Sequence, residues 1–164
     1  MSKKTKDLKI DVYKTVIKKD GIIDLKALYE NVNEIAKSYG YEVLEKEQKK
    51  EKDEISLVWK LEKKLDPYFK SNIEIELKSV KCFEVSVERK GKKEKKFKGE
   101  TIIQYTAVLN KNYKKDFGDT KFQNFLRRSY EEISRMPDLE RYEKELTVES
   151  INIAKRIKDT LEQF

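Results

Sequence analysis

The sequence predicts an α+β fold. A mainly antiparallel sheet of four to five strands, ordered β-α-β-β-β-β-α-α, carries an N-terminal helix and C-terminal helices packed on it. Three observations point this way. Between residues 73 and 109, Ile73, Ile75 and Leu77, then Phe83, Val85 and Val87, then Ile103, Tyr105, Ala107 and Leu109 recur at every second position. That is the period of strands with one buried face, and the stretch reads as a long hairpin. On either side the period becomes helical: Leu25, Leu28, Val32, Ile35, Ala36 and Tyr39 form one stripe, and a second pattern runs from Asp119 to the C-terminus.

In chain order, residues 1–9 hold four lysines and one aspartate and are expected to form a loose basic arm. Ile10, Val12 and Val16 mark a first strand, ended by Lys18-Lys19-Asp20-Gly21. Asp24 is the expected N-cap of the first helix and Gly40 its stop. Tyr41, Val43 and Leu44 open a second strand, wholly polar from Glu45 to Glu54; Ile55, Leu57, Trp59 and Leu61 make a third, closed by Asp66-Pro67. In the central hairpin, Ser79 and Lys81 interrupt the alternation, as a bulge would. Its tip is Arg89-Lys-Gly-Lys-Lys-Glu-Lys-Lys-Phe-Lys98, with Gly91 free to take positive φ. Thr120 and Gln123 have capping-box spacing, and Phe122, Phe125, Leu126, Tyr130 and Ile133 fall on one helix face. Pro137 interrupts. Leu139, Tyr142, Leu146, Val148, Ile151, Ala154, Ile157 and Leu161 then continue to the end.

A meander of this order gathers Lys18, Lys19 and the tips near 49–53 and 89–98 at one end. Tyr39, Tyr41, Tyr68, Phe69, Tyr113 and Phe117 gather at the other, where they either cap the core or form a patch. Tyr68, Phe69, Tyr113 and Phe117 are therefore the candidates for a partner or ligand contact.

No repeat or Pro/Gly/Ser linker divides the chain, so residues 1–164 read as a single domain. Lys plus Arg number 38 against 31 Asp plus Glu, and only six of the cations are Arg. Bidentate base reading favours Arg, so sequence-specific recognition is disfavoured. The chain has no histidine and one cysteine, Cys82. An internal disulfide is impossible and neither a zinc site nor another metal is expected. No signal peptide or membrane span is legible, and a cytoplasmic location is expected. No phosphate loop, dinucleotide fingerprint or nucleophile elbow occurs, so no cofactor and no catalytic residue is assigned. Asp116-Phe117-Gly118 spells a kinase motif, but the chain is too short for a kinase and lacks its catalytic loop.

The basic tip is the informative feature. Arg89, Lys90, Lys92, Lys93, Lys95, Lys96 and Lys98 stand against Glu88 and Glu94 alone. Such a hairpin neutralises phosphates by counterion release, with Lys18 and Lys19 adding weakly. The leading expectation is a non-catalytic module that contacts RNA, DNA or a ribonucleoprotein.

Two stretches, Tyr68-Phe-Lys-Ser-Asn-Ile-Glu-Ile-Glu-Leu77 and Phe125-Leu-Arg-Arg-Ser-Tyr-Glu-Glu-Ile133, resemble segments of uncharacterised small archaeal proteins, a resemblance that implies no activity. In topology the chain is similar to the helix-grip (START-like) fold. That likeness implies the alternative function, a carrier holding a small apolar ligand between the sheet and the C-terminal helix.

Overall fold

The computed structural model describes residues 8–163, except the side chains of Glu45, Lys46 and Arg89. The basic arm lies outside the described residues but for Leu8 and Lys9. The elements are β1 (Lys9–Ile23), α1 (Leu25–Ser38), β2 (Glu42–Glu51), β3 (Glu54–Lys64), β4 (Phe69–Arg89), β5 (Lys92–Lys111), α2 (Lys121–Tyr130) and α3 (Met136–Leu161). A π-helical segment, Glu131–Arg135, joins the last two. The expected α+β architecture is present: the strands form one antiparallel sheet in the order β1-β5-β4-β3-β2. β1 and β2 are its two edges, so α1 carries the chain from one edge to the other. α1 packs on α3 and β2, and α3 on β1 and β5.

The alternation read from sequence sets the inner face. Ile55, Leu57, Trp59 and Leu61 of β3, Ile73, Ile75 and Leu77 of β4, and Ile103, Tyr105, Ala107 and Leu109 of β5 are buried there. Leu28, Val32, Ile35 and Ala36 cover them from α1. From α3, Leu139, Leu146, Ile153, Ala154, Ile157 and Leu161 close the core. Val148 and Ile151, expected on that face, are exposed; Glu149 and Ser150 are buried instead. β1 does not stop at Lys18 but pairs on through Gly21 to Ile23, opposite Phe97.

Asp24 caps α1, accepting from Ala27 N–H at 3.0 Å. At the opposite end of the sheet, the Asp66 carboxylate accepts from the N–H groups of Tyr68 and Phe69 at 2.7 and 2.8 Å. It also accepts from Tyr142 Oη at 3.0 Å and pairs with Arg135. Burial alone would raise both carboxyl pKa values, but these donors outweigh it and, with Lys96 at Asp24, hold both below the ordinary 3.8. A carboxylate depressed in the folded state stabilises fully above its unfolded pKa, and the benefit disappears as pH falls through the folded value. Thermal melts from about pH 6 to about pH 2 should therefore show Tm dropping below about pH 4, and Asp66→Asn should flatten that drop. A drop of equal depth in Asp66→Asn would take Asp66 out of the acid response.

Pro137 does not end the helix. A proline there cannot donate to the Ile133 carbonyl and its ring crowds that group. The chain widens into the π segment, which removes the clash and keeps the helix running. The segment also fixes Glu131 in a buried cluster. Its carboxylate meets Lys111 Nζ at 3.0 Å and Arg127 Nη1 at 2.7 Å, and accepts from the Tyr68 hydroxyl. The inward side of α2 is thus charged. Of the stripe Phe122, Phe125, Leu126, Tyr130 and Ile133, Tyr130 alone packs on the core, and the other four face solvent.

Candidate nucleic-acid interface

The basic segment is not a loop but an extension of the hairpin. β3 leaves β4 at Ile55, opposite Ser79, and β1 leaves β5 at Ile23, opposite Phe97. Beyond these points β4 and β5 pair only with one another, from Val85 opposite Lys96 to Arg89 opposite Lys92. Five residues of strand carry this two-stranded ribbon roughly 17 Å past the sheet. Lys90 and Gly91, with φ of 52° and 75°, close it in a two-residue turn whose twist matches the flanking strands.

The bulge expected near Ser79 is present and has a consequence for the ribbon. Lys81 and Cys82 together stand opposite Gly99, between the pairs Val80–Glu100 and Phe83–Lys98. Lys81 takes a φ of 51°, and Cys82 turns inward, its N–H donating to the Asp53 carbonyl at 2.7 Å. Because side chains alternate, one extra residue exchanges the two faces beyond it. Phe83 therefore does not continue the buried row of Ile73, Ile75 and Leu77. It is 57% exposed, directly across from the exposed Lys98. Gly99 permits this crossing: a Cβ there would sit 2.9 Å from both Cys82 Cα and Val80 O. Gly99→Ala should force the strands apart and cost about 1–3 kcal/mol, read by denaturant melt; a loss near zero would mean the bulge tolerates a side chain.

Opposed residues share a face. One face carries Phe83 with Lys98 where the ribbon leaves the sheet, then Val85 with Lys96, Val87 with Glu94, and the Arg89–Lys92 position. The other carries Glu84 with Phe97, Ser86 with Lys95 and Glu88 with Lys93. On the second face acids answer the lysines, as at Lys95–Glu84, 3.8 Å apart. On the first, Glu94 pairs with Lys96 at 2.8 Å; Lys98 stands directly across from Phe83, and Lys92 lies at the turn end of the same face.

The predicted cations thus have different fates. Lys90, Lys92, Lys93, Lys95 and Lys98 are exposed. The Arg89 side chain lies outside the description. Lys96 is a correction: it is 8% exposed and bound to Asp24 at 2.8 Å as well as to Glu94. These hydrogen bonds raise its pKa, and its ammonium holds the α1 cap rather than meeting solvent. Lys18 and Lys19 sit within β1 opposite Ile102 and Thr101, short of the ribbon. Phe97 turns toward the core, half-buried, with Lys50 Nζ 5.4 Å from its ring centre. In the β2–β3 turn region Lys49, Lys50 and Lys52 are matched by Glu47, Glu51, Asp53 and Glu54, so it adds no basic surface.

Of the six aromatic residues expected at the far end, Tyr68, Phe69, Tyr113 and Phe117 gather there, whereas the Tyr39 and Tyr41 hydroxyls meet Asn152 and Glu149 of α3. Tyr68 and Phe69 are buried; the Tyr68 ring stands edge-on to Phe69, Phe117 and Tyr130, with centroids 5.0, 6.3 and 5.5 Å away. Tyr113 donates its hydroxyl to the Asp66 carbonyl at 2.6 Å. As contacts for a partner, Tyr68 and Phe69 are corrected to core residues, because the β3–β4 turn, the Asn112–Asp119 loop and the π segment close over them. Among the described residues no group of His, Cys, Asp or Glu side chains converges to hold a metal ion, and no helix is long and apolar enough to cross a membrane.

Phe83 is the site residue that sequence reasoning misplaced. The signal was the double break at Ser79 and Lys81, which read as a bulge also implies the exchange of faces. Comparison of the chain with protein-family models, curated proteins and solved structures finds no match in any of the three.

Proposed function

We propose that the chain is a non-catalytic binding module whose β4–β5 ribbon holds single-stranded nucleic acid. The observation that carries this reading is an exposed phenylalanine, Phe83, at the base of a ribbon face, with the exposed Lys98 directly across from it and the exposed Lys92 further along the same face. Lys92 and Lys98, with Lys90 at the turn, supply phosphate contacts that need no particular base. Phe83 supplies a flat apolar surface on which a base stacks, and every base has such a face. Duplex bases are already stacked on each other, so a single strand fits better. The interior favours this reading over an apolar-ligand carrier: Trp59, Ile75, Leu77 and Tyr105 fill the space beneath the helices, each at most 1% exposed.

Fluorescence anisotropy with a mixed-sequence single-stranded oligonucleotide at two salt concentrations tests the reading. Replacing Lys90, Lys92, Lys95 and Lys98 by Gln should leave folding within about ±0.5 kcal/mol. It should flatten the slope of log affinity against log salt by up to about three, four contacts at about 0.7 each. Lys92→Gln/Lys98→Gln should weaken binding more than Lys93→Gln/Lys95→Gln. Phe83→Ala should weaken it by about 1–3 kcal/mol with the slope unchanged, because stacking releases no counterions. Equal affinities and slopes in wild type and the quadruple variant would reject the ribbon as the binding element.

A further inference from the structure

α2 breaks the usual rule for a surface helix: its inward side is charged and its outward side is apolar. Phe122, Phe125 and Leu126 of α2, at i, i+3 and i+4, are 68, 55 and 42% exposed, and Ile133 of the π segment that continues it is 83% exposed. The stripe is not a frayed end, since the Thr120–Gln123 capping box closes the helix N-terminus and the Glu131 cluster anchors its other end. A row of large apolar side chains exposed together on such a scaffold marks a contact that the isolated chain leaves unmade.

The charges beside the stripe select its occupant. Lys121 lies next to Phe122 at one end, and Glu132 lies next to Ile133 at the other; both are exposed. We propose that the stripe packs against the same stripe of a second copy of this chain, the two α2 helices antiparallel about a two-fold axis beside Leu126. That arrangement brings Lys121 of each copy toward Glu132 of the other and sets Phe122 against Ile133, with Phe125 and Leu126 at the axis. Parallel pairing would set lysine on lysine and glutamate on glutamate. A two-fold axis needs one self-complementary patch, and this sequence carries opposite charges at the two ends of one apolar row. An anionic lipid surface fits less well. Around the stripe Lys121 and Arg128 are balanced by Asp119 and Glu132, without the cationic excess that recruits a helix to lipid.

Sedimentation equilibrium of the full chain from roughly 5 to 500 μM covers the range expected of a small interface. The weight-average mass should rise toward twice the chain mass. Phe125→Glu should hold it at one chain mass throughout, with an unchanged circular dichroism spectrum, because residue 125 already faces solvent. Lys121→Glu and Glu132→Lys should each weaken association, and the two together should restore it. A monomer at every concentration overturns the proposal, as does a dimer indifferent to Phe125→Glu. Failure of the double reversal to recover overturns the antiparallel arrangement. A monomer that co-sediments with phosphatidylglycerol vesicles, and ceases to in Phe125→Glu, would overturn it by assigning the stripe to lipid.

Discussion

Replacing Glu131 with Ala is expected to destabilise the protein by about 3–5 kcal/mol, among the largest effects of any single change. The carboxylate is the shared partner of two cations, Lys111 and Arg127, whose side chains are 0 and 2% exposed. It is also the acceptor for the buried Tyr68 hydroxyl. Burial and this carboxylate push the phenol's pKa up, so it remains a donor at every ordinary pH. Alanine leaves both cations desolvated without the charge they converge on, and an uncompensated buried charge costs more than an intact pair contributes. Both cations meet the one carboxylate of Glu131, so the three members are not equivalent. Lys111→Met leaves a balanced Arg127–Glu131 pair and should cost clearly less than Glu131→Ala. Urea unfolding of the two single variants and the double variant would give the coupling. A loss below about 1 kcal/mol for Glu131→Ala, or equal losses for the two single changes, would mean that water reaches the cluster.

That cluster also marks what the sequence could reveal. Features fixed by neighbours along the chain were legible: the Asp24 cap, the Thr120–Gln123 capping box, and the alternating rows of β3, β4 and β5. Their cause lies within a few residues of their effect. The helical stripe of α2 was legible as a stripe, but not the direction it faces, because 3.6-residue periodicity says that one side is apolar and nothing about what covers it. Its orientation follows from Lys111 and Tyr68, distant in sequence, which converge on Glu131. Lys96 shows the same limit. Within its own segment it is one more lysine of a basic tip; its partner Asp24 lies 72 residues earlier. Phe83 is a third kind of case, since a single-residue bulge decides the face of every later side chain, and parity counted across the bulge gives the opposite answer.

Trp59 is expected to separate two effects that usually travel together. It is 1% exposed at the centre of the inner face, between Leu57 and Leu61 and paired across to Ile75. The ring of Tyr29 on α1 lies over it, 6.4 Å away, so α1 meets the sheet there. Trp59→Ala should cost about 3–5 kcal/mol, at or above the range of about 2–5 expected for Leu28→Ala from the helix side. The indole Nε1 is buried and has no hydrogen-bond partner among the described residues. A buried donor that makes no bond in the folded state carries a desolvation penalty of about 1–3 kcal/mol, and phenylalanine abolishes it. The smaller ring forfeits part of the packing, and the two terms oppose each other. Trp59→Phe should therefore fall within about 1.5 kcal/mol of wild type, far from the alanine variant. Chemical denaturation of both variants is the measurement. A phenylalanine variant as unstable as the alanine one would mean that the indole N–H is bonded in solution. An alanine variant losing less than about 1 kcal/mol would mean that α1 does not close over β3.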